Sequence, residues 1–369
     1  MENYHFVEEH AIPSPALIYY KDIIISNITT AILQAHGPEH LWPHVKTHKS
    51  RDLINLQTNL GITRFKCATI AEAEMAASAD AQHILLAYPL VGPNIQRFLD
   101  LIRAYPTKTF YTVGDNFEML AALGGSAVRL GVRVNCLADV NPQMNRTGIS
   151  FEHLIDFYRN TARIEGIRLC GLHCYDGNRH ELSYTSREAH VLETIKKLNS
   201  ARNHIASLGL SCKYLIAGGS PTFPCYAANT KDVFFSPGTV FVYDVGYREQ
   251  FPDLPYKPGA AILSRVVSHP AEGFFTLDTG YKSISSEQPL RGILPELAHT
   301  SEVFQSEEHW TFRMEPGFEQ NRPAVGQIVY ILPWHICPTT ALYDSVCVVS
   351  GGALCGNWEI TARNRKITI

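Results

Sequence analysis

The feature that most constrains the fold is a repeated alternation of short apolar segments and helical segments, which runs to about residue 235. Strands are predicted at 15–20, 64–69, 83–88, 109–113, 128–135, 167–175, 214–217 and 233–235, with helices between them. One helix between consecutive strands is the pattern of a parallel sheet. About eight such units predict an α/β fold with a (β/α)8 TIM-like barrel. A doubly wound sheet is the alternative, but no Gly-x-Gly-x-x-Gly follows an early strand.

The pattern changes after about residue 250. Pro252, Pro255 and Pro258 lie close together, as in a hinge. The following segments, 260–267, 273–278, 309–314, 327–332 and 345–350, read as strands without helices between them. We therefore predict a barrel domain at 14–250 and an all-β domain formed by 1–13 and 251–369.

Composition excludes several classes of protein. A chain of 369 residues with 45% hydrophobic and 18% charged residues is typical of a globular protein large enough for two domains. The net charge of -3 offers no basic surface for nucleic acid. No apolar run approaches the ~20 residues of a membrane span. The polar N-terminus and nine scattered cysteines predict a cytoplasmic protein with reduced thiols.

A lysine between two histidines is the most unusual local feature. Residues 41–50 read Leu-Trp-Pro-His-Val-Lys-Thr-His-Lys-Ser. We predict a further strand here, on which His44, Lys46 and His48 share one face. A lysine in a dry, partly cationic pocket loses its proton easily, and the neutral amine can attack a carbonyl. We therefore interpret these three as candidate catalytic residues. The alternative is an exposed basic loop.

Two glycine-containing stretches follow predicted strands. Their members are Gly218, Gly219 and Ser220 in the first and Gly238 and Thr239 in the second. Glycine lets backbone amides approach a phosphate, and hydroxyl groups add donors. Ordinary turns are the alternative interpretation.

His335 and Cys337 are two residues apart, so in an extended segment both side chains would point the same way. An imidazole and a thiolate suit Zn²⁺ better than Mn²⁺ or Mg²⁺. Two protein ligands leave positions open for water and substrate, as in a catalytic site. The alternative is a buried cysteine beside a packed histidine.

The stretch Pro43-His44-Val45-Lys46-Thr47-His48-Lys49 resembles the lysine motif of the D-threonine aldolase and D-serine dehydratase family. These are fold-type III pyridoxal-phosphate (PLP) enzymes related to the N-terminal domain of alanine racemase. Lys46 matches the lysine that binds the cofactor covalently. Trp42 stands where family members commonly carry arginine.

The resemblance also implies roles for residues outside this motif. Tyr175 corresponds to a ring that stacks on the cofactor's pyridine, and Arg146 to a partner of its phenolic oxygen. The two glycine-containing stretches correspond to the phosphate-binding positions. His335 and Cys337 match the metal-binding element, for which zinc is favoured and manganese or magnesium is possible.

The resemblance predicts a lyase that acts on small D-β-hydroxy-α-amino acids. Aldol cleavage to glycine and an aldehyde is the favoured reaction, and β-elimination to a 2-oxo acid and ammonia is the alternative. A racemase and a non-catalytic PLP-binding protein are weaker alternatives. The resemblance further implies a homodimer, and we expect no nucleic-acid or membrane partner.

Overall fold

The computed structural model describes residues 3–369, so Met1 and Glu2 of the predicted segment 1–13 lie outside the described residues. The chain divides into two units. We call them the β unit, residues 3–28 and 239–363, and the α/β unit, residues 29–238 and 364–369. These boundaries differ from the predicted 14–250 and 251–369, because the first strand pairs with strands from the C-terminal part of the chain.

The strands are β1 (Ala16–Tyr20), β2 (Arg64–Cys67), β3 (His83–Leu86), β4 (Thr109–Gly114), β5 (Val134–Val140), β6 (Ile167–Cys174), β7 (Tyr214–Ala217), β8 (Phe234–Phe235), β9 (Ala260–Ser268), β10 (Phe274–Leu277), β11 (Gly292–Ile293), β12 (Thr300–Gln305), β13 (Trp310–Met314), β14 (Ile328–Pro333), β15 (Ser345–Ser350) and β16 (Ala353–Glu359). The α-helices are α1 (Lys21–Gln34), α2 (Arg51–Asn59), α3 (Ile70–Ser78), α4 (Pro93–Ala104), α5 (Phe117–Arg129), α6 (Phe151–Thr161), α7 (Tyr184–Ser207), α8 (Phe223–Asn229), α9 (Val245–Gln250) and α10 (Ile336–Thr340).

The α/β unit contains a parallel sheet in the order β2-β3-β4-β5-β6-β7-β8. Helices α3 to α8 connect its consecutive strands. Most strand residues are buried, because crossover helices cover one face and packed side chains fill the other. The helices supply apolar stripes; α4, for example, buries Ile95, Phe98, Leu99 and Leu101. The predicted α/β class and alternation are therefore confirmed.

The predicted eight-stranded barrel is not confirmed, because the sheet formed by residues 3–369 has seven strands. In place of a further strand, Leu41 and His44 make isolated parallel bridges to Phe235 of β8 and Lys66 of β2. Residues Val45–Thr47 then form a 3-10 helix. Pro43 has no N–H for a strand ladder, and the His44 ring accepts the Lys46 N–H at 3.3 Å instead. The prediction of a strand through Lys46 is therefore wrong.

Trp42 lies in the apolar core of the α/β unit. Its indole ring makes edge contacts with Tyr111, Tyr214 and Phe234 at centroid distances of 5.3, 5.7 and 5.8 Å. Its Nε1–H donates to the Phe65 carbonyl at 2.8 Å. The fully buried tryptophan thus anchors the segment that carries Lys46.

The β unit is built on a mainly antiparallel sheet, in the order β12-β13-β10-β9-β1-β15-β16. Strand β14 also pairs with β9, and β11 pairs with β14. Strand β1 pairs antiparallel with β9 and parallel with β15. The prediction of an all-β domain is confirmed. Strands β12 and β16 were not predicted, because their side chains are largely exposed and lack an apolar pattern.

Among residues 3–369, no helix combines the length and the apolar character that a membrane span requires.

Candidate active site

A cavity of about 550 Å³ opens in the α/β unit, within the ~300–1,000 Å³ range of small-molecule sites. Part of its wall is apolar, from residues such as Ala87, Pro89 and Val91. Its main polar residues are His44, Lys46, Lys66, Arg146, His173 and Tyr175. Several of these lie at or just after the carboxyl ends of β2, β5 and β6, the edge where parallel α/β sheets bind ligands.

The two lysines of the motif have different environments. Lys46 lines the cavity, with its Nζ 5.7 Å from the centroid of the Tyr175 ring. Lys49 instead forms an ion pair with the carboxylate of Glu72, which is fully buried. Lys46 is therefore the motif lysine available to a ligand in the cavity.

The flanking histidines do not share one face with Lys46. His44 lines the cavity, and burial together with the charges of Lys46 and Lys66 holds its pKa well below the usual value. His48 is buried away from the cavity, and its Nδ1 accepts the Ser50 N–H at 3.2 Å. Burial lowers the pKa of His48 to about 3, so this ring is neutral. The predicted arrangement on one strand face is wrong, because Val45–Thr47 is helical.

Three cations converge on the ring of Tyr175. The Nζ of Lys66 and the guanidinium of Arg146 each lie 5.0 Å from the ring centroid, with Lys46 slightly farther away. Such positions are attractive because the face of an aromatic ring is electronegative. The arrangement provides a flat aromatic surface beside concentrated positive charge, which suits a planar anionic ligand.

The first glycine-containing stretch packs against this ring. A Cβ at Gly219 would lie 3.2 Å from the Tyr175 ring, and Gly218 has a φ of +83°, so both positions favour glycine. The Gly219 N–H donates to Asp176 Oδ1 and Thr222 Oγ1, each at 3.1 Å. This amide is therefore already engaged by side chains.

The other predicted phosphate-binding residues are Ser220, Gly238 and Thr239. The Gly238 N–H lies 3.4 Å from Ser220 Oγ. A Cβ at Gly238 would approach His44 at 3.2 Å. Thr239 belongs to the β unit, where its Oγ1 lies 3.4 Å from Cys337 Sγ.

Lys66 is a candidate site residue that the sequence reasoning missed. In Arg64-Phe65-Lys66-Cys67 it looks like an ordinary strand lysine, but it is only 1% exposed and its Nζ donates to Ser236 Oγ at 2.6 Å. Burial, with the charges of Lys46 and Arg146, lowers the pKa of Lys66 to about 7. No local sequence pattern predicts this burial.

An aspartate–histidine pair was also missed. His173 Nδ1 lies 2.7 Å from Asp139 Oδ1, and Thr147 Oγ1 donates to Asp139 Oδ2 at 2.8 Å. The His173 Nε2 is buried without a hydrogen-bond partner among the described residues. Although Asp139 opposes the effect, burial lowers the pKa of His173, so the ring is neutral near pH 7. With its proton on Nδ1, Nε2 is a proton acceptor in a cavity-lining residue.

His335 and Cys337 are in contact in the β unit, although not in an extended segment. His335 is the N-cap of α10 and Cys337 lies within that helix, so the predicted extended geometry is wrong. His335 Nδ1 also pairs with the carboxylate of Glu287. Burial opposes protonation, but Cys337, Asp244 and Glu287 raise the pKa of His335 to about 9. A metal ion bound at His335 would have to displace this proton.

The residues present fit PLP, judged from the structure. The cavity joins a primary amine at Lys46, an aromatic surface at Tyr175 and, among the described residues, an unpartnered polar atom at His173 Nε2. The fit to a metal ion is limited to the donor pair His335 and Cys337, because residues 3–369 contain no group of three or more suitable His, Cys, Asp or Glu side chains.

Two known families match the chain. Residues 21–242 match the alanine racemase N-terminal domain, and residues 259–349 match a putative serine dehydratase domain. The first match covers more than half of the chain.

Similar proteins extend over nearly the whole chain. D-threonine aldolase from Arthrobacter sp. is 26% identical over 359 residues, covering 95% of this chain and 93% of that protein. D-threo-3-hydroxyaspartate dehydratase from Delftia sp. (strain HT23) is 22% identical over 346 residues, covering 86% and 89%.

Solved structures show the same fold. D-threonine aldolase from Filomicrobium marinum has a TM-score of 0.87 at 22% identity, with 96% of each chain covered. The Delftia dehydratase has a TM-score of 0.84 at 19% identity, with 95% of this chain and 98% of that chain covered. The chain therefore belongs to the alanine racemase N-terminal domain family, within the fold-type III PLP enzymes related to D-threonine aldolase and D-serine dehydratase.

Proposed function

We propose that the protein is a PLP-dependent lyase that cleaves D-β-hydroxy-α-amino acids to glycine and an aldehyde. The observation that carries this proposal is the position of Lys46 in a cavity that Tyr175 and Arg146 also line, with both cationic side chains over the Tyr175 ring. The similarity to D-threonine aldolases along the chain supports the substrate class.

Four residues that line the cavity, Lys46, Tyr175, Arg146 and His173, have a role in this proposal. Lys46 holds the cofactor through its ε-amine and, once substrate has displaced it, is placed to move protons at the substrate. Tyr175 and Arg146 orient the cofactor ring by stacking and by a charged hydrogen bond. When bound, PLP supplies an electron sink for the bond that breaks. His173, oriented by Asp139, offers Nε2 as a further proton acceptor.

The proposal includes a divalent metal ion held by His335 and Cys337. Their contact and their donor types favour zinc over manganese or magnesium. An ion with two protein ligands keeps open coordination positions, which suits a catalytic role.

Dehydration is the second candidate function. It is favoured by Cys337, because the sequence His-x-Cys resembles the dehydratase variant of the metal-binding element, and by the similarity to the Delftia dehydratase. The two reactions share a substrate class but give different products.

Product analysis separates these reactions. The purified protein is incubated with PLP, zinc or manganese, and D-threonine or D-serine. Glycine plus acetaldehyde from D-threonine is the expected result, whereas 2-oxo acid plus ammonia would establish the dehydratase. Formation of the L-enantiomer alone would identify a racemase, and PLP binding without turnover would contradict the enzyme proposal.

A homodimer and a cytoplasmic location are also part of the proposal, from the family resemblance and the sequence composition. Sedimentation of the pure protein tests the first. A monomer with full activity would remove the dimer from the account.

A further inference from the structure

Lys66 is a buried cation that the roles assigned so far do not use. It projects from β2, its Nζ donates to Ser236 Oγ at 2.6 Å, and it lines the cavity that contains Lys46. Burying an ammonium group is costly unless a partner of opposite charge replaces the lost water. A hydroxyl group provides a hydrogen bond but no negative charge.

The nearby carboxylates make their hydrogen bonds to groups other than Lys66, although Asp176 Oδ2 is buried without a hydrogen-bond partner among the described residues. Asp139 accepts hydrogen bonds from His173 and Thr147. Asp176 accepts from Thr222 at 2.8 Å and from the Gly219 amide. Both carboxylates influence Lys66 electrostatically, but its hydrogen bond goes to Ser236. The fold therefore places at the cavity a buried amine whose protonated form an anionic ligand would stabilise.

The position of Ser236 indicates which part of the ligand carries that anion. Ser236 Oγ also donates to the Gly218 carbonyl at 3.0 Å, and Ser236 precedes the Pro237-Gly238 stretch. Lys66 therefore lies beside both glycine-containing stretches. In the proposed function Lys46 takes the cofactor aldehyde and Arg146 its phenolic oxygen, which leaves the cofactor phosphate and the substrate carboxylate as anions without an assigned cation. The contact of Lys66 with Ser236, and of Ser236 with the Gly218 carbonyl, favours the phosphate of these two.

We infer that Lys66 is a phosphate anchor, whose ammonium group binds the phosphate of PLP beside Ser236 and Gly218. The inference rests on the proposed function. It assigns a charged side chain to a phosphate site that the sequence motifs alone describe as a backbone cradle. It also explains why the Gly219 amide can be committed to Asp176.

The test compares two ligands that differ only in the phosphate. Apoprotein is titrated with PLP and with pyridoxal, and binding is followed by the absorbance of the bound cofactor. We expect Lys66→Met to weaken PLP binding roughly 10- to 100-fold, the range of a charged hydrogen bond. Pyridoxal affinity should change by less than about 3-fold, since this ligand lacks the anion.

Matched variants separate charge from packing. Lys66→Arg keeps the charge and should retain most of the preference for PLP. Lys108→Met is the control, because the Lys108 ammonium group binds the Ala79 carbonyl and does not line the cavity. If the methionine variant fails to fold, the affinities for PLP and pyridoxal are compared in Lys66→Gln and in Ser236→Ala instead.

Equal losses for PLP and pyridoxal, or unchanged PLP affinity, would overturn the inference while leaving the PLP enzyme intact. Wild-type protein that binds neither ligand would overturn the proposed function, and the inference with it.

Discussion

At the residue scale, the protonation of Lys66 makes the apoprotein sensitive to pH. Burial, Lys46 and Arg146 lower its pKa to about 7 from 10.5, although Asp139 and Asp176 oppose them. Between these values the unfolded chain binds more protons, so stability rises with pH across this window.

Replacing Lys66 by methionine should therefore stabilise the apoprotein at neutral pH. The expected gain near pH 7 is on the order of a few kcal/mol, and it should shrink as the pH rises toward about 10. Urea unfolding of both proteins at several pH values measures this difference. A gain that stayed constant with pH would mean that Lys66 is not a titrating buried cation.

At the scale of elements, Trp42 connects the apolar core to the segment that presents Lys46. Trp42→Ala removes a fully buried ring and should reduce the free energy of unfolding by about 3–5 kcal/mol. Trp42→Phe keeps a ring but loses the hydrogen bond to Phe65, and should cost about 1–2 kcal/mol. Urea denaturation checks both values. Losses below about 0.5 kcal/mol for the alanine variant would show that the ring does not anchor the segment.

The C-terminal segment, residues 364–369, is held to the α/β unit by hydrogen bonds with Glu74 and Arg97. The buried Glu74 carboxylate accepts the N–H groups of Thr368 at 3.0 Å and Ile369 at 3.2 Å. Arg97 donates to the Ile369 carbonyl at 2.8 Å. Deleting this segment should destabilise the protein by about 1–3 kcal/mol, because the carboxylate loses its donors.

Thermal unfolding of the 369-residue chain and of a chain without residues 364–369 tests this expectation. Glu74→Gln should destabilise the 369-residue chain but be nearly neutral in the shortened one, because residues 364–369 supply the hydrogen-bond donors. Equal effects in both backgrounds would contradict the coupling.

How far the sequence predicts the structure differs between elements. The alternation of short apolar segments with helical segments located most strands of the parallel sheet. Strands buried on both faces are recognisable because they are nearly continuous apolar runs. It failed at Val45–Thr47, where Pro43 and the His44 ring divert the backbone from a strand. The burial of Lys66 depends on contacts distant in sequence, such as Ser236, so a local pattern contains no trace of it. The family resemblance predicted Lys46, Tyr175 and Arg146 as site residues, and in the structure Lys46 and Arg146 both lie over the Tyr175 ring.

At the scale of the whole molecule, the proposed metal ion is expected to support activity but not folding. Protein contacts already fix the segment around α10: Asp244 accepts the Ile336 N–H at 3.1 Å and Thr339 binds the His335 carbonyl at 2.8 Å. Exhaustive chelation should therefore abolish turnover and leave the far-ultraviolet circular dichroism spectrum unchanged.

A variant at Cys337 tests which metal ion the site prefers. Cys337→Asp should shift the preference from zinc toward manganese, because a carboxylate is the harder ligand. Full activity of Cys337→Ala after chelation would remove the ion from the reaction.

The central claim is that Lys46 carries PLP, and covalent trapping tests it most directly. The protein is loaded with PLP, reduced with borohydride and digested, and the modified peptide is identified by mass spectrometry. The account predicts the label on Lys46 and its loss in Lys46→Ala, while Lys49→Ala remains labelled at Lys46. A label on Lys49 or Lys66 in the wild-type protein, or an unchanged label in Lys46→Ala, would contradict the account.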